Sequence, residues 1–182
     1  VTADIFTDRL RLSRSTPSDL DAVFAIQNDP RVWTHFPSLR HADPATTLEM
    51  MERWERSWEL AGLGSWVARL RDTGEIIGNG GCTLLRDEVW NVGYRIAADH
   101  HGHGYATELA RAGIEQARII APDRPVIAYL VEHNRASAHV AEKLGLELVH
   151  RAPDVGNPDP AVMRLVYADR PLTPMQLAAA LG

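Results

Sequence analysis

Cysteine occurs once in the 182 residues, at Cys82. A lone thiol excludes an internal disulfide framework and fits a reducing, cytoplasmic setting. No nucleophile motif surrounds it, so a buried strand thiol is the simpler reading. Long apolar runs are missing too. None approaches the ~20 residues that cross a bilayer, and no secretory signal pattern opens the chain, so no membrane role is expected. There is no basic excess: 19 Lys and Arg stand against 24 Asp and Glu, a net charge of −5. That balance argues against a nucleic-acid surface. Repeats, low-complexity tracts and linkers are also absent, which leaves residues 1–182 as one expected domain. At this length about 70% of the unfolded surface can be buried. The apolar share of 45% and charged share of 24% are ordinary for a globular protein.

The most informative stretch runs from Trp90 to Glu108, WNVGYRIAADHHGHGYATE. Val92, Tyr94 and Ile96 alternate with Asn91, Gly93 and Arg95, the period of a strand. From Ala106 the apolar residues Leu109, Ala110, Gly113, Ile114 and Ala117 fall at helical spacing. Between them lies His101-Gly102-His103-Gly104-Tyr105-Ala106, a small-residue turn that opens a helix. The N–H groups of a first helical turn have no internal partners and sit at the positive end of the dipole, so short side chains there let a phosphate approach. A turn that needs glycine only for its dihedrals would use the same residues. A P-loop is excluded because Gly104 is followed by Tyr105-Ala106 rather than Lys-Ser/Thr. A dinucleotide fingerprint is excluded because Ala106 comes one position early.

The remaining chain reads as an alternation of elements. Ile5 to Arg14 is expected as a first strand, and Thr16-Pro17-Ser18-Asp19 starts a helix that Asn28-Asp29-Pro30 ends. Residues 31–43 form a loop carrying Trp33, His35 and Phe36; these aromatics either line a pocket or plug the core. Asp43-Pro44 caps a second helix to about Ala61, with Leu48, Met51, Trp54 and Trp58 on its apolar face. Two strands around Asp72-Thr73-Gly74 follow, the second bearing Gly78, Gly80 and Gly81, which predict a bulge or a close backbone approach. The apolar run Val126 to Val131 suits a strand buried on both faces and paired parallel after a helical crossover. Asn134 caps a helix that Gly145 stops, two strands follow, and residues 172–181 form a short terminal helix. The expected fold class is α/β: a mixed, mostly antiparallel twisted sheet of about seven strands with flanking helices.

Two segments resemble a known family. His101 to Ala106 is similar to the acyl-CoA loop of the GNAT superfamily of N-acyltransferases, Arg/Gln-x-x-Gly-x-Gly/Ala, with His101 in place of Arg or Gln. Asn134-Arg135-Ala136-Ser137, followed by Glu142-Lys143-Leu144-Gly145-Leu146, resembles that family's second motif, with Leu146 where Phe is usual. The continuation Gly-Tyr-Ala-Thr-Glu looks like the Rim-type branch, the ribosomal-protein N-terminal acetyltransferases. The element order matches the GNAT fold over about residues 5–168.

The resemblance implies an acetyl-CoA-dependent N-acetyltransferase in which the parallel strand pair splays apart and admits the pantetheine arm. It implies that backbone N–H groups of Gly102, His103, Gly104, Tyr105, Ala106 and Thr107, beside His101, hold the pyrophosphate. Arg95, Ile96 and Ala97 would pair with the pantetheine amides and acyl carbonyl, and Asn134 would reach the same arm. The acceptor would be a small-molecule amine or a protein or peptide N-terminus, mildly favoured by the acidic net charge. Its pocket walls, by analogy, are Trp33, His35, Phe36, Trp54 and Trp58. The chain departs from the family at two places. Asn91 stands where relatives often carry a basic Glu, leaving Glu88, His35 or a water chain to take the amine's proton, unless the amine arrives already neutral. Ala141 stands where many carry a Tyr, so Ser137, on the buried helix face with Val140 and Leu144, is the candidate to assist the departing thiolate. A non-catalytic acyl-CoA-binding domain on the same fold is the alternative. No metal is expected, because His100, His101 and His103 have no second ligand-bearing segment. Oligomeric state is left open between monomer and homodimer.

Overall fold

The computed structural model describes residues 4–155 and 157–181. Its strands are β1 (Ile5–Phe6), β2 (Leu10–Ser13), β3 (Ser65–Leu70), β4 (Ile76–Leu85), β5 (Val89–Ile96), β6 (Val126–Val131), β7 (Glu147–Pro153) and β8 (Met163–Ala168). They form one sheet in the order β1-β2-β3-β4-β5-β6-β8-β7. Eight strands appear rather than about seven because the expected first strand folds into a hairpin. Thr7 and Leu10 close its turn: the Thr7 N–H donates to Leu10 O at 2.9 Å, and the Leu10 N–H to Thr7 Oγ1 at 3.1 Å.

Five helices flank the sheet: α1 (Leu20–Asn28), α2 (Pro44–Ala61), α3 (Tyr105–Ile120), α4 (Arg135–Lys143) and α5 (Pro174–Leu181). Strand alternation divides them between two faces. Leu109, Ala110 and Ile114 of α3 bury against Trp90, Val92 and Ile96 of β5 in the main core. Val23 of α1 and Met51 and Trp54 of α2 bury against Val67, the odd-numbered side of β3. The odd-numbered residues of β5 therefore face α1 and α2, and the even-numbered ones face α3 and α4.

The glycines of β4 mark close backbone approach. A methyl group at Gly78 would lie 2.4 Å from Arg95 O, and one at Gly80 would lie 2.5 Å from Gly93 O. The irregularity predicted for this region sits across the ladder, as a register shift between Ala68 and Arg69 of β3.

All pairings are antiparallel except β5 with β6. That parallel pair holds only at Trp90↔Val126 and Asn91↔Ile127, with the Trp90 N–H donating to Pro125 O at 2.9 Å. Beyond Asn91, β5 pairs only with β4, and β6 runs on along β8. The two strands part, as the resemblance implied. Val126–Val131 is buried as expected except at Tyr129, which is 42% exposed and has the Arg164 guanidinium 4.8 Å from its ring centre.

Candidate active site

The gap between β5 and β6 opens into a cavity of about 440 Å³ between the start of α3 and the start of α4. One wall is the turn 101–104. Gly102 and Gly104 have φ of +79° and +83°, the left-handed region that favours glycine. The turn therefore needs these glycines, and it also does something more. Gly104 caps α3 with no side-chain hydrogen bond, and the first bond of the helix runs from Glu108 N–H to Gly104 O. Among the described residues, the N–H groups of Gly102 through Thr107 have no acceptor. These six consecutive donors lie at a positive helix end, and all their residues but His103 line the cavity, an arrangement that fits a pyrophosphate.

Arg9 braces this turn from β1–β2. Its guanidinium donates to His103 O at 2.9 Å, pairs with Glu108 at 2.7 Å and lies 4.3 Å from the centre of the Tyr105 ring. The three neighbouring histidines diverge. His100 reaches Glu75 at 3.2 Å, His101 Nε2 donates to Ile96 O at 2.8 Å, and His103 stacks on Tyr105.

At the opposite wall Asn134 caps α4, its side-chain oxygen accepting from the Ser137 N–H at 3.2 Å. The Ser137 hydroxyl lines the cavity and has no hydrogen-bond partner among the described residues. Tyr94 comes within reach of the same turn: its hydroxyl donates to Ser137 O at 3.3 Å, and burial raises its pKa. Tyr94 was not singled out from the sequence. Its position on the even face of β5, pointing toward α4, was the available signal.

A second cavity, about 220 Å³, lies on the α1/α2 face. Its floor is Asn79, Gly81, Asn91 and Gly93 of β4 and β5, and Trp33 and Trp54 stand over it. Trp33 is fixed by donating from Nε1 to Gln27 O at 2.7 Å. The Arg95 guanidinium lies 3.8 Å from the centre of the Trp33 ring and donates to His35 Nε2 at 3.3 Å. Since arginine has no acceptor, that nitrogen of His35 carries the lone pair and the proton sits on Nδ1. The two cavities share Tyr94 and Arg95 in their linings.

Several expected site residues are placed differently. Arg95 and Ala97 do not present their main chain to the gap. The Ala97 N–H donates to Ile77 O at 2.8 Å, toward β4, whereas the Trp90 N–H points to β6. Along one strand these directions alternate, so Tyr94 and Ile96 turn their backbone groups to the gap and Arg95 contributes only its side chain. Glu88 is a correction as well: it sits in the β4–β5 turn, whose left-handed residues are Arg86 and Asp87, and it lines neither cavity. It is about 23 Å along the strand from Arg95. Trp58 is not a pocket wall. Its ring packs on Trp66 in the main core and its Nε1 donates to Ser65 O at 3.0 Å. Phe36 packs beside Ile26, Val32 and Trp33. Asn91 does line the second cavity, with a buried side-chain oxygen that has no partner. Neither lining contains a carboxylate.

This chain belongs to the GNAT family of acetyltransferases: the model of the acetyltransferase (GNAT) domain matches residues 9–147. Such enzymes are acetyl-CoA-dependent N-acetyltransferases, and the cavity beside the six free donors fits that co-substrate. The chain is 33% identical over 148 residues to the uncharacterized protein YkkB of Bacillus subtilis, covering 78% of this chain and 84% of that one. It superposes on an acetyltransferase from Agrobacterium tumefaciens with a TM-score of 0.75 and 28% identity, over 94% of this chain and 96% of the other. The RimL ribosomal-protein acetyltransferase solved with coenzyme A shares the fold, with a TM-score of 0.77 at 15% identity over 91% and 97% of the two chains. Among the described residues, no helix is long and apolar enough to cross a membrane.

Two outcomes follow from this geometry. Thr107→Glu places a carboxylate in the first turn of α3, where it stabilises the helix by about 0.3–1 kcal/mol but repels a phosphate. Calorimetry should find acetyl-CoA affinity lowered at least about tenfold while the melting temperature holds or rises; unchanged affinity would leave the loop as a turn only. The second outcome concerns His35, whose pKa is pushed down to about 4 by burial, with Arg95 and His133 adding to the effect. The unfolded chain binds a proton here below about 6.5 while the folded chain does not, so stability is full above that pH and falls as pH drops toward 4. Urea titrations at pH 7.5 and 5 should show this loss, and His35→Gln should reduce it. An equal loss in the variant would assign the pH dependence to other groups.

Proposed function

We propose that the chain moves the acetyl group of acetyl-CoA directly to a primary amine seated in the second cavity, with both substrates bound together. The observation that carries this reading is the meeting of the two cavities at Tyr94 and Arg95. One side offers free N–H donors for a pyrophosphate, and the other is a separate, aromatic-walled pocket. Acetyl-CoA supplies the activated acyl carbon as a thioester. The amine's lone pair forms the new C–N bond, the C–S bond breaks, and the amine's surplus proton must leave while the thiolate gains one. Gap-facing N–H groups of Tyr94 and Ile96 are suited to meet the pantetheine arm and the developing oxyanion.

The proton acceptor for the amine is water in this reading. Asn91 cannot act as a base, Glu88 is remote, and His35 Nε2 is engaged by Arg95. The Ser137 hydroxyl, with Tyr94 beside it, protonates or solvates the thiolate at the positive end of α4. Similarity to ribosomal-protein acetyltransferases supports a peptide N-terminus as acceptor, and the pocket admits a small-molecule amine equally well. The chain acts as one GNAT domain, and the single buried thiol of Cys82, pushed up in pKa by burial, suits a reducing cytoplasm.

Thiol release from acetyl-CoA, measured over a broad panel of amines, tests the reading. Turnover with any amine is the expected result; binding of acetyl-CoA with no turnover across the panel would favour a non-catalytic acyl-CoA-binding role. Ser137→Ala should lower kcat roughly tenfold or more with little change in acetyl-CoA affinity, short of the 10²–10³ lost with an oxyanion donor because a thiolate of pKa near 8.5 needs less help. A kcat within about twofold of the parent would make the hydroxyl structural.

A further inference from the structure

Arg95 has a charge that the protein leaves unanswered. Ion pairs occupy the other arginines around the site: Arg31 with Asp29 and Asp99, and Arg9 with Glu108. No carboxylate among the described residues pairs with Arg95. It is mostly buried, and although burial pushes its pKa down to about 10 it remains a cation at neutral pH. A guanidinium has five N–H donors, and here a single one is used, toward His35. None of the other nitrogens is a sealed orphan, so they face the cavities that Arg95 lines. Burying a cation without a charged partner is unfavourable, and a carboxylate brought by a ligand would relieve it.

The position of Arg95 assigns the use. Its main chain bonds toward β4, and its side chain leaves the odd face of β5 toward α1 and α2, above Trp33. That is the acceptor side, although Arg95 also lines the cavity that holds the donor turn. The Trp33 ring and His35 Nε2 hold the guanidinium plane, which leaves an edge free for bidentate pairing. The cavity it borders, at about 220 Å³, is below the ~300 Å³ typical of pockets for drug-sized ligands. It suits one amino-acid-sized group.

We propose that the acceptor is a primary amine that also carries a carboxylate, and that Arg95 pairs with that carboxylate to set the amine at the junction of the two cavities. The proposal rests on the transferase reading above. Two sources present this chemistry: a free amino acid, and a peptide whose N-terminal residue has an acidic side chain. Arg95 is a specificity determinant here; the bonds made and broken are those already described.

The test is a matched panel in the thiol-release assay. Free amino acids (alanine, glutamate, phenylalanine, β-alanine and 4-aminobutyrate) are set beside their carboxamides, and tripeptides beginning with Asp or Glu beside those beginning with Asn or Gln. An amide also lowers the basicity of a nearby amine, so each acid-to-amide ratio of kcat/KM is compared between the parent and Arg95→Gln. The parent should prefer the acid in at least one series by roughly tenfold or more, as expected when a site built to bind a group meets an analogue lacking it. Arg95→Gln should bring that ratio to within about threefold of unity, and Arg95→Lys, which keeps the charge but not the fork, should restore part of it. The series that responds identifies the source. A parent without acid preference in either series, or a preference that survives Arg95→Gln, overturns the proposal. If acetyl-CoA binds but no amine turns over, the same carboxylates are titrated against the acetyl-CoA complex and followed by tryptophan fluorescence. Saturable binding that Arg95→Gln abolishes then supports the carboxylate site while the transferase reading fails by itself, and absence of binding rejects both. Should Arg95→Gln not fold, the parent's own ratios and those of Arg95→Lys decide.

Discussion

The parting of β5 from β6 after a two-residue parallel contact is the constraint on which the rest depends. Each strand keeps a partner on its outer side, β4 and β8, so the sheet survives the opening. Inside the opening, the backbone groups of Tyr94 and the Ile96 N–H lose a strand and become available to a ligand, while Ile96 O accepts from His101 Nε2. The same alternation sends the Arg95 main chain into the β4 ladder and its side chain onto the opposite face. One geometric event thus separates the slot proposed for the pantetheine arm from the pocket proposed for the acceptor, with Tyr94 and Arg95 shared by both linings.

The electrostatics follow from that division. The slot ends at α3, whose first turn has no side-chain cap and no carboxylate facing it from within the cavity. Arg9 fixes the turn from outside through His103 O and Glu108, keeping the donors in place without filling the cradle. In the second cavity, Trp33 is the platform. Gln27 and Asn79 converge around it through the bonds Trp33 Nε1 to Gln27 O and Gln27 Nε2 to Asn79 Oδ1, and the Arg95 guanidinium lies over its ring. The chain is acidic overall, yet its linings contain cations and amides and no carboxylate.

Much of this was legible in the sequence because the signals were local. The turn of Gly102 and Gly104 opens α3, Asn134 caps α4, and Gly145 stops the following chain at φ +78°, each from residue types with few alternatives. Other features needed the register. Arg95 and Ala97 were assigned backbone roles because they lie at the right end of β5, but which groups point into the gap depends on pairing with β4, which no local pattern records. Glu88 lies three residues from Asn91 in sequence and yet lines neither cavity. Trp54 and Trp58 share an apolar helix stripe; of the two, Trp54 reaches the second cavity, and Trp58 packs on Trp66. The first strand divided because Thr7 could satisfy a turn with its own hydroxyl, a signal too small to read in advance.

In the proposed reading, the donors released by the strand parting and the uncapped start of α3 hold the co-substrate. Amide hydrogen exchange, resolved by residue with and without saturating acetyl-CoA, measures those donors themselves. Exchange at Gly102 through Thr107, and at Tyr94 and Ile96, should slow at least about tenfold on binding, because each amide gains an acceptor it lacks in the free protein. Acetyl-CoA bound by calorimetry with these amides exchanging as before would contradict this placement and put the ligand elsewhere.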